Sequence, residues 1–129
     1  NIADFWKRYH ISMGNWINQF IFFPLVIWMK KSWASYVATI IAFILFGMWH
    51  AFNLNYFVWG LGNGLGVALM HYGMSKKIFP LVKTTGPVKI GVGIVTGAVT
   101  LTFISWIQTF ANLENFETGL LLTQKLILG

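Results

Sequence analysis

The sequence predicts an all-α fold: a fragment of a polytopic membrane protein, with about three transmembrane helices and a Pro-broken re-entrant or interfacial segment. Three observations carry this. Of 129 residues, 57% are hydrophobic and only 9% charged, against about 25% charged in a soluble domain. Aromatics reach 18%, with 7 Trp and 12 Phe, the excess that interfacial belts use. The lysines fall between apolar runs rather than along one face, so the net charge of +6 fits the positive-inside pattern better than nucleic acid. The absence of Cys excludes a disulfide framework, a Cys zinc site and a thiol nucleophile. The chain opens without Met and without a signal-peptide pattern, and is expected to be part of something longer.

Four stretches follow in order. Residues 1–32 hold a mixed aromatic and basic segment and an apolar one. In the first, Asp4 and Arg8 are four apart, as are Trp6 and His10, so a helix pairs each on one face; Ser12 to Asn15 is expected to cap or break that helix. In the second, Phe20 to Met29 is too short to span and contains Pro24. Residues 33–74 read as a helical hairpin, with spans over Trp33 to His50 and Leu54 to Met74 separated by Asn53 and Asn55. Its second arm carries Gly60 and Gly64, and Gly62 and Gly66, at the four-residue spacing that lets helices approach closely in lipid. Residues 75–89 form a Lys- and Pro-bearing loop. Residues 90–129 hold the last span, Ile90 to Phe110 with Gly93 and Gly97, then a polar turn at Asn112 to Glu117 and a short helix over Leu120 to Leu128. Lys30 and Lys31 precede the first span and Lys76 to Lys89 follow the second, so both loops lie on one face, the cytoplasmic one.

Chemistry concentrates on three histidines. His50 ends an apolar run beside Trp49. Those residues alone fit either a helix-end histidine bonded to a carbonyl or a general base, since imidazole titrates near neutral pH. His10 fits either an interfacial amphipathic helix or a second polar group of a site. His71, beside Tyr72 at the end of a span, reads as interfacial. A metal site from His10, His50 and His71 with Asp4 has no short ligand spacing behind it. The glycines around Asn63 lack the strand–turn–helix setting of a nucleotide loop. Ser12, Ser35 and Ser105 lack nucleophile-elbow surroundings.

Asn1-Ile-Ala-Asp-Phe-Trp-Lys-Arg-Tyr-His10-Ile-Ser and Gly47-Met-Trp-His50 resemble the membrane-bound O-acyltransferase family. The likeness continues through Phe57-Val-Trp-Gly60-Leu and Asn63-Gly-Leu, and more loosely to Trp106 and Ala111-Asn112. The bacterial branch that O-acetylates alginate and other polysaccharides is the most similar, with the D-alanyl transferases of teichoic acid as near relatives. That branch shows a pattern like Phe-Trp-Arg-Arg-Trp-His-Ile-Ser-Leu, a Pro-Leu like Pro24-Leu25, and Leu-Trp-His-Gly about forty residues after the first His, the separation of His10 and His50 here. This chain has Asn18-Gln19 where the branch has Arg-Asp, Asn63 where it has His, and Ala51 in place of Gly.

The resemblance implies an active site in a tunnel through the membrane. It makes His50 the catalytic histidine, and His10 the second polar position, which carries His, Asn or Asp in different branches. Trp49, Asn63 and Trp6 are expected at the substrate. The implied reaction is transfer of an acyl group, acetyl above all, from an activated donor to a hydroxyl of a cell-surface or exported polysaccharide. The co-substrate is acyl-CoA or an acyl-carrier thioester, with no metal or organic cofactor. Expected partners are membrane lipid, the donor, a polysaccharide or cell-wall polymer and an extracytoplasmic protein, and not nucleic acid. The expected location is the bacterial inner (plasma) membrane, crossed several times. Two rivals are a non-catalytic scaffold that binds lipid or proteins, and a transporter fragment, which leaves the two His motifs unexplained.

Topology can be tested directly. Cysteines introduced singly at Lys77 and at Glu114 are expected to label with impermeant reagents from opposite sides of the membrane. Labelling of both from outside rejects the three-span reading.

Overall fold

In a computed structural model, residues 1–76, 87–113 and 116–128 are described; among them every regular element is helical and no strand occurs. The helices are α1 (Ile2–Arg8), α2 (Ile11–Ile17), α3 (Phe23–Met29), α4 (Ala34–His50), α5 (Leu54–Ser75), α6 (Pro87–Asn112) and α7 (Phe116–Leu128), with a π-turn over Asn18–Phe22 joining α2 to α3. The α6 segment Ile90–Asn112 is long and apolar enough to cross a membrane, and Ala34–His50 is apolar but shorter. The 22 residues of α5 reach about 33 Å at 1.5 Å each, while its asparagines, histidine and glycines dilute its apolar character.

The hairpin of α4 and α5 is the centre of the molecule. Asn53 opens α5 as its N-cap, its side-chain oxygen accepting the Tyr56 N–H at 2.9 Å, one of the donors a helix start leaves free. The expected glycine packing is present and two-sided. A Cβ on Gly64 would lie 2.9 Å from Ile40 Cα, and one on Gly60 2.9 Å from Ile44 Cα, so this pair faces the α4 backbone. A Cβ on Gly62 would meet the Ile107 side chain of α6, and one on Gly66 those of Ile2 and Phe103. Gly93 and Gly97 have nothing within 4 Å of that position, so their spacing marks no contact among the described residues.

At the far end of the hairpin the Tyr36 and Ser75 hydroxyls are 3.0 Å apart. Lys30, Lys31 and Lys76 therefore lie at one end, as the topology reading requires. At the other end the buried Asn55 donates from Nδ2 to the Leu113 carbonyl at 2.6 Å, joining the start of α5 to the end of α6. Lys77, Lys83 and most of the expected 75–89 loop lie outside the described residues, as do Glu114 and Asn115. The α6 helix already begins at Pro87, and α7 begins at Phe116, ahead of the expected Leu120. The closing contacts are Gly119 under the Phe110 ring and Trp106 Nε1 donating to Thr123 Oγ1 at 3.2 Å.

Two expectations about the first 32 residues are corrected. The first helix ends at Arg8, and the break falls at Tyr9–His10, not at Ser12 to Asn15. Asp4 and Arg8 do pair, at 3.3 Å, but Trp6 and His10 share no helix. The cause is tertiary: Ile2 and Ala3 pack on Val67 of α5, while the π-turn and α3 pack on α4, so the chain turns between them. Pro24 does not stop the helical path either. It sits in the first turn of α3, directly after a π-turn in which the Phe23 N–H reaches back to the Asn18 carbonyl. The wider turn absorbs the hydrogen bond and the clash that proline would otherwise impose on a regular ladder.

The glycine contacts predict unequal tolerance. Gly64→Ala drives a methyl into the α4 backbone, which cannot yield, and is expected to destabilise by about 1–3 kcal/mol. Gly62→Ala meets Ile107 Cδ1, which can rotate away, and should cost clearly less. Thermal unfolding in detergent measures both, and equal losses contradict the packing described.

Candidate active site

His50 is the last residue of α4, and His10 is the hinge between α1 and α2. His10 has φ 50° and ψ 50°, a left-handed conformation that few residues with a Cβ adopt. The two imidazoles meet at one ring. Phe46, one turn before His50, has its centroid 5.0 Å from His50 and 6.5 Å from His10. Three more aromatics surround His50: Trp49 at 5.1 Å, Tyr56 stacked at 5.8 Å with 23° between planes, and Trp59 edge-on at 6.1 Å.

Behind the rings runs a chain of hydrogen bonds. Trp6 Nε1 donates to Asn63 Oδ1 at 3.2 Å, and Asn63 Nδ2 donates to the Trp59 carbonyl at 2.9 Å. The Trp59 indole in turn donates to Gln108 Oε1 of α6 at 2.9 Å. Asn63 is fully buried at 0% exposure, so unpaired amide atoms here would be costly.

A cavity of about 340 Å³ opens beside this cluster. His10 and Trp6 line it from the hinge and α1, Phe43 and Phe46 from α4, and Lys7 and His71 are among its polar lining, with Asn15, Asn18 and Thr39. The wall is mostly apolar with a few polar groups, the make-up of small-molecule sites. Of the expected substrate residues, Trp6 reaches the cavity. Asn63 does not line it and instead holds Trp6. Trp49 is 68% exposed and packs on His50. His71, read from the sequence as interfacial, faces the cavity; only the packing of α5 against α1 brings it there. The pairing of Trp59 with Gln108 was also missed, because it spans 49 residues; Trp59 stands in the Phe57-Val-Trp-Gly60 motif but the sequence assigns it no role there, and Gln108 sits in no motif. Among the described residues no group of three or more His, Cys, Asp or Glu could hold a metal ion.

With this geometry in hand, comparison with known proteins decides the family. The profile of the membrane-bound O-acyltransferase family matches residues 1–114. The chain belongs to the membrane-bound O-acyltransferase family. Similar proteins include a probable alginate O-acetylase of Pseudomonas fluorescens, 32% identical over 69 residues, covering 54% of this chain and 14% of that protein. A teichoic acid D-alanyltransferase of Bacillus subtilis is 37% identical over 68 residues, covering 47% of this chain and 17% of that protein. A peptidoglycan O-acetyltransferase of Helicobacter pylori is 26% identical over 121 residues, covering 93% and 21%. The matches thus span about a fifth or less of those relatives' length. No solved structure matches the chain significantly.

The Trp6–Asn63 bond yields a prediction. Asn63→Ala strands the Trp6 indole N–H in an apolar setting and is expected to cost about 1–3 kcal/mol. Trp6→Phe removes the donor, so adding it to Asn63→Ala should cost much less than the sum of the two single changes. Strict additivity in unfolding midpoints would show that the bond contributes nothing.

Proposed function

We propose that the protein is a membrane-embedded O-acyltransferase. It moves an acyl group, acetyl above all, from an activated thioester to a hydroxyl of a cell-surface or exported polysaccharide. The observation that carries this is that His50 and His10 both pack within reach of the Phe46 ring, with His10 and Phe46 on the wall of a mostly apolar cavity that His50 adjoins through Phe46. Family membership and the acetylase and alanyltransferase names of the relatives support the reaction class and a cell-wall or exported polymer as acceptor.

In this mechanism the acceptor hydroxyl attacks the acyl carbonyl carbon while His50 takes its proton. The carbon–sulfur bond then breaks, and the thiolate leaves to be protonated in turn. His50 must be neutral to accept the proton. His10 orients the acceptor or polarises the donor carbonyl. The membrane interior keeps bulk water from hydrolysing the thioester. The donor is acyl-CoA or an acyl-carrier thioester, entering from the face that bears Lys30, Lys31 and Lys76 in the plasma membrane. The polymer, with an extracytoplasmic partner protein, approaches from the opposite face. The rival reading, a non-catalytic scaffold, draws on Asn18-Gln19 standing where the branch carries Arg-Asp and on Asn63 standing where it carries His. The buried Asn63 amide has a packing task of its own, so the second replacement does not argue for lost activity.

His50→Ala in the intact membrane protein is expected to cut acyl transfer by about two to four decades, the usual cost of a lost general base, without loss of folding or insertion. His10→Ala should also lower the rate, and His10→Asn less, because its proposed role is hydrogen bonding rather than proton transfer. Acyl incorporation into polymer, normalised to folded protein by gel filtration in detergent, measures all three. Near-normal transfer by well-folded His50→Ala makes His50 structural and ends the enzyme reading.

A further inference from the structure

We propose that Gln108 is a positioning residue for the reaction: through the Trp59 indole it fixes the ring that closes the aromatic box around His50. This rests on His50 being the base. Gln108 lies on α6, remote in sequence from both histidine motifs, and no part of the site so far described requires it. Its Oε1 accepts the Trp59 Nε1–H at 2.9 Å. Trp59 is 5% exposed, so this indole N–H needs a partner inside the protein.

Among the described residues, the indole is the one wall of the box whose side chain is held by a bond to a third helix. Phe46 and Trp49 belong to the same helix as His50 and move with it. Tyr56 and Trp59 both come from α5, but among the described residues Trp59 alone is tied onward by its side chain to α6. Its ring stands 86° to the imidazole plane, edge to face, and also touches Phe46 at 5.7 Å and Trp6 at 5.8 Å. Rotation of Trp59 would therefore disturb the His50 ring directly and the His10 side through Phe46.

The box also suits the chemistry. When His50 takes the hydroxyl proton it becomes a cation, which the stacked Tyr56 ring, 5.8 Å away, can stabilise without a carboxylate, while the edge-on Trp59 indole holds the imidazole in place. The stabilisation depends on ring geometry, and small misplacements in a site cost rate out of proportion to their size. Gln108 supplies the fixed point for that geometry.

The test is a set of variants in the intact membrane protein, with kcat expressed per folded molecule. Gln108→Leu, close in size and without an acceptor, is expected to lower kcat about tenfold while KM for acceptor and donor stays within about twofold. Gln108→Glu keeps an acceptor oxygen and should restore most of the rate. Trp59→Phe, which lacks the N–H, should reproduce the loss and decides the matter if Gln108→Leu fails to fold. In a Trp59→Phe background, Gln108→Leu should have no further effect. Normal kcat in folded Gln108→Leu, or in Trp59→Phe when Gln108→Leu does not fold, overturns the proposal. Losses that multiply in the double variant overturn it as well. His50→Ala is the control: if it is inactive while Gln108→Leu is normal, only the positioning role falls, whereas an active His50→Ala removes the catalytic reading itself.

Discussion

The contact of α4 with α5 is backbone against backbone. Gly47 lies against the Tyr56 carbonyl, Gly60 against Phe43 and Gly64 against Ile40, leaving no room for a Cβ on either side. In lipid, where burying apolar surface between helices gains little, close packing of this kind is a main source of association. The rest of the site depends on it. The approach brings Tyr56 and Trp59 within reach of His50, and it fixes the groove along which α1 lies, so that Trp6 can meet Asn63. A wider hairpin would separate Tyr56 and Trp59 from the imidazole and break the Trp6–Asn63 bond that ties α1 to α5.

Much of this was legible in the sequence. The hairpin, its Asn53 turn and the four-residue glycine spacing follow from hydropathy and from the absence of side chains where helices must touch. His10 and His50 stand out through their motifs and separation, and the structure gives that separation a meaning, since both pack near the Phe46 ring. Trp6 and Asn63 were singled out individually, but their bond to each other was not, because nothing local marks a contact across 57 residues.

The misses share a cause. The break at Tyr9–His10, the π-turn before Pro24, the exposure of His71 to the cavity and the Trp59–Gln108 pair are all decided by what a segment packs against. Serine and asparagine at Ser12 to Asn15 gave the stronger local signal for a helix break, yet the competing pulls of α5 on α1 and of α4 on α3 put the turn earlier. Gly93 and Gly97 show the converse. Their spacing matches that of Gly60 and Gly64, but among the described residues no helix uses it. A small-residue pattern states that a close approach is permitted, and the partner determines whether one occurs.

The left-handed backbone at His10 has a consequence for the range of chemistry open to the site. For most side chains, φ near 50° costs about 1–2 kcal/mol; Gly is exempt, and short polar residues such as Asn and Asp, together with His, are tolerated best. The hinge therefore acts as a sieve before any substrate is considered. Gly has no side chain to offer, and of the remainder only His changes charge near neutral pH. The types that the resemblance places at this position in different branches, His, Asn and Asp, are the ones the sieve passes. Drift that avoids backbone strain exchanges one hydrogen-bonding group for another among these types more readily than for a β-branched or bulky residue. The geometry of a helix break thereby limits which reaction partners evolution can try there.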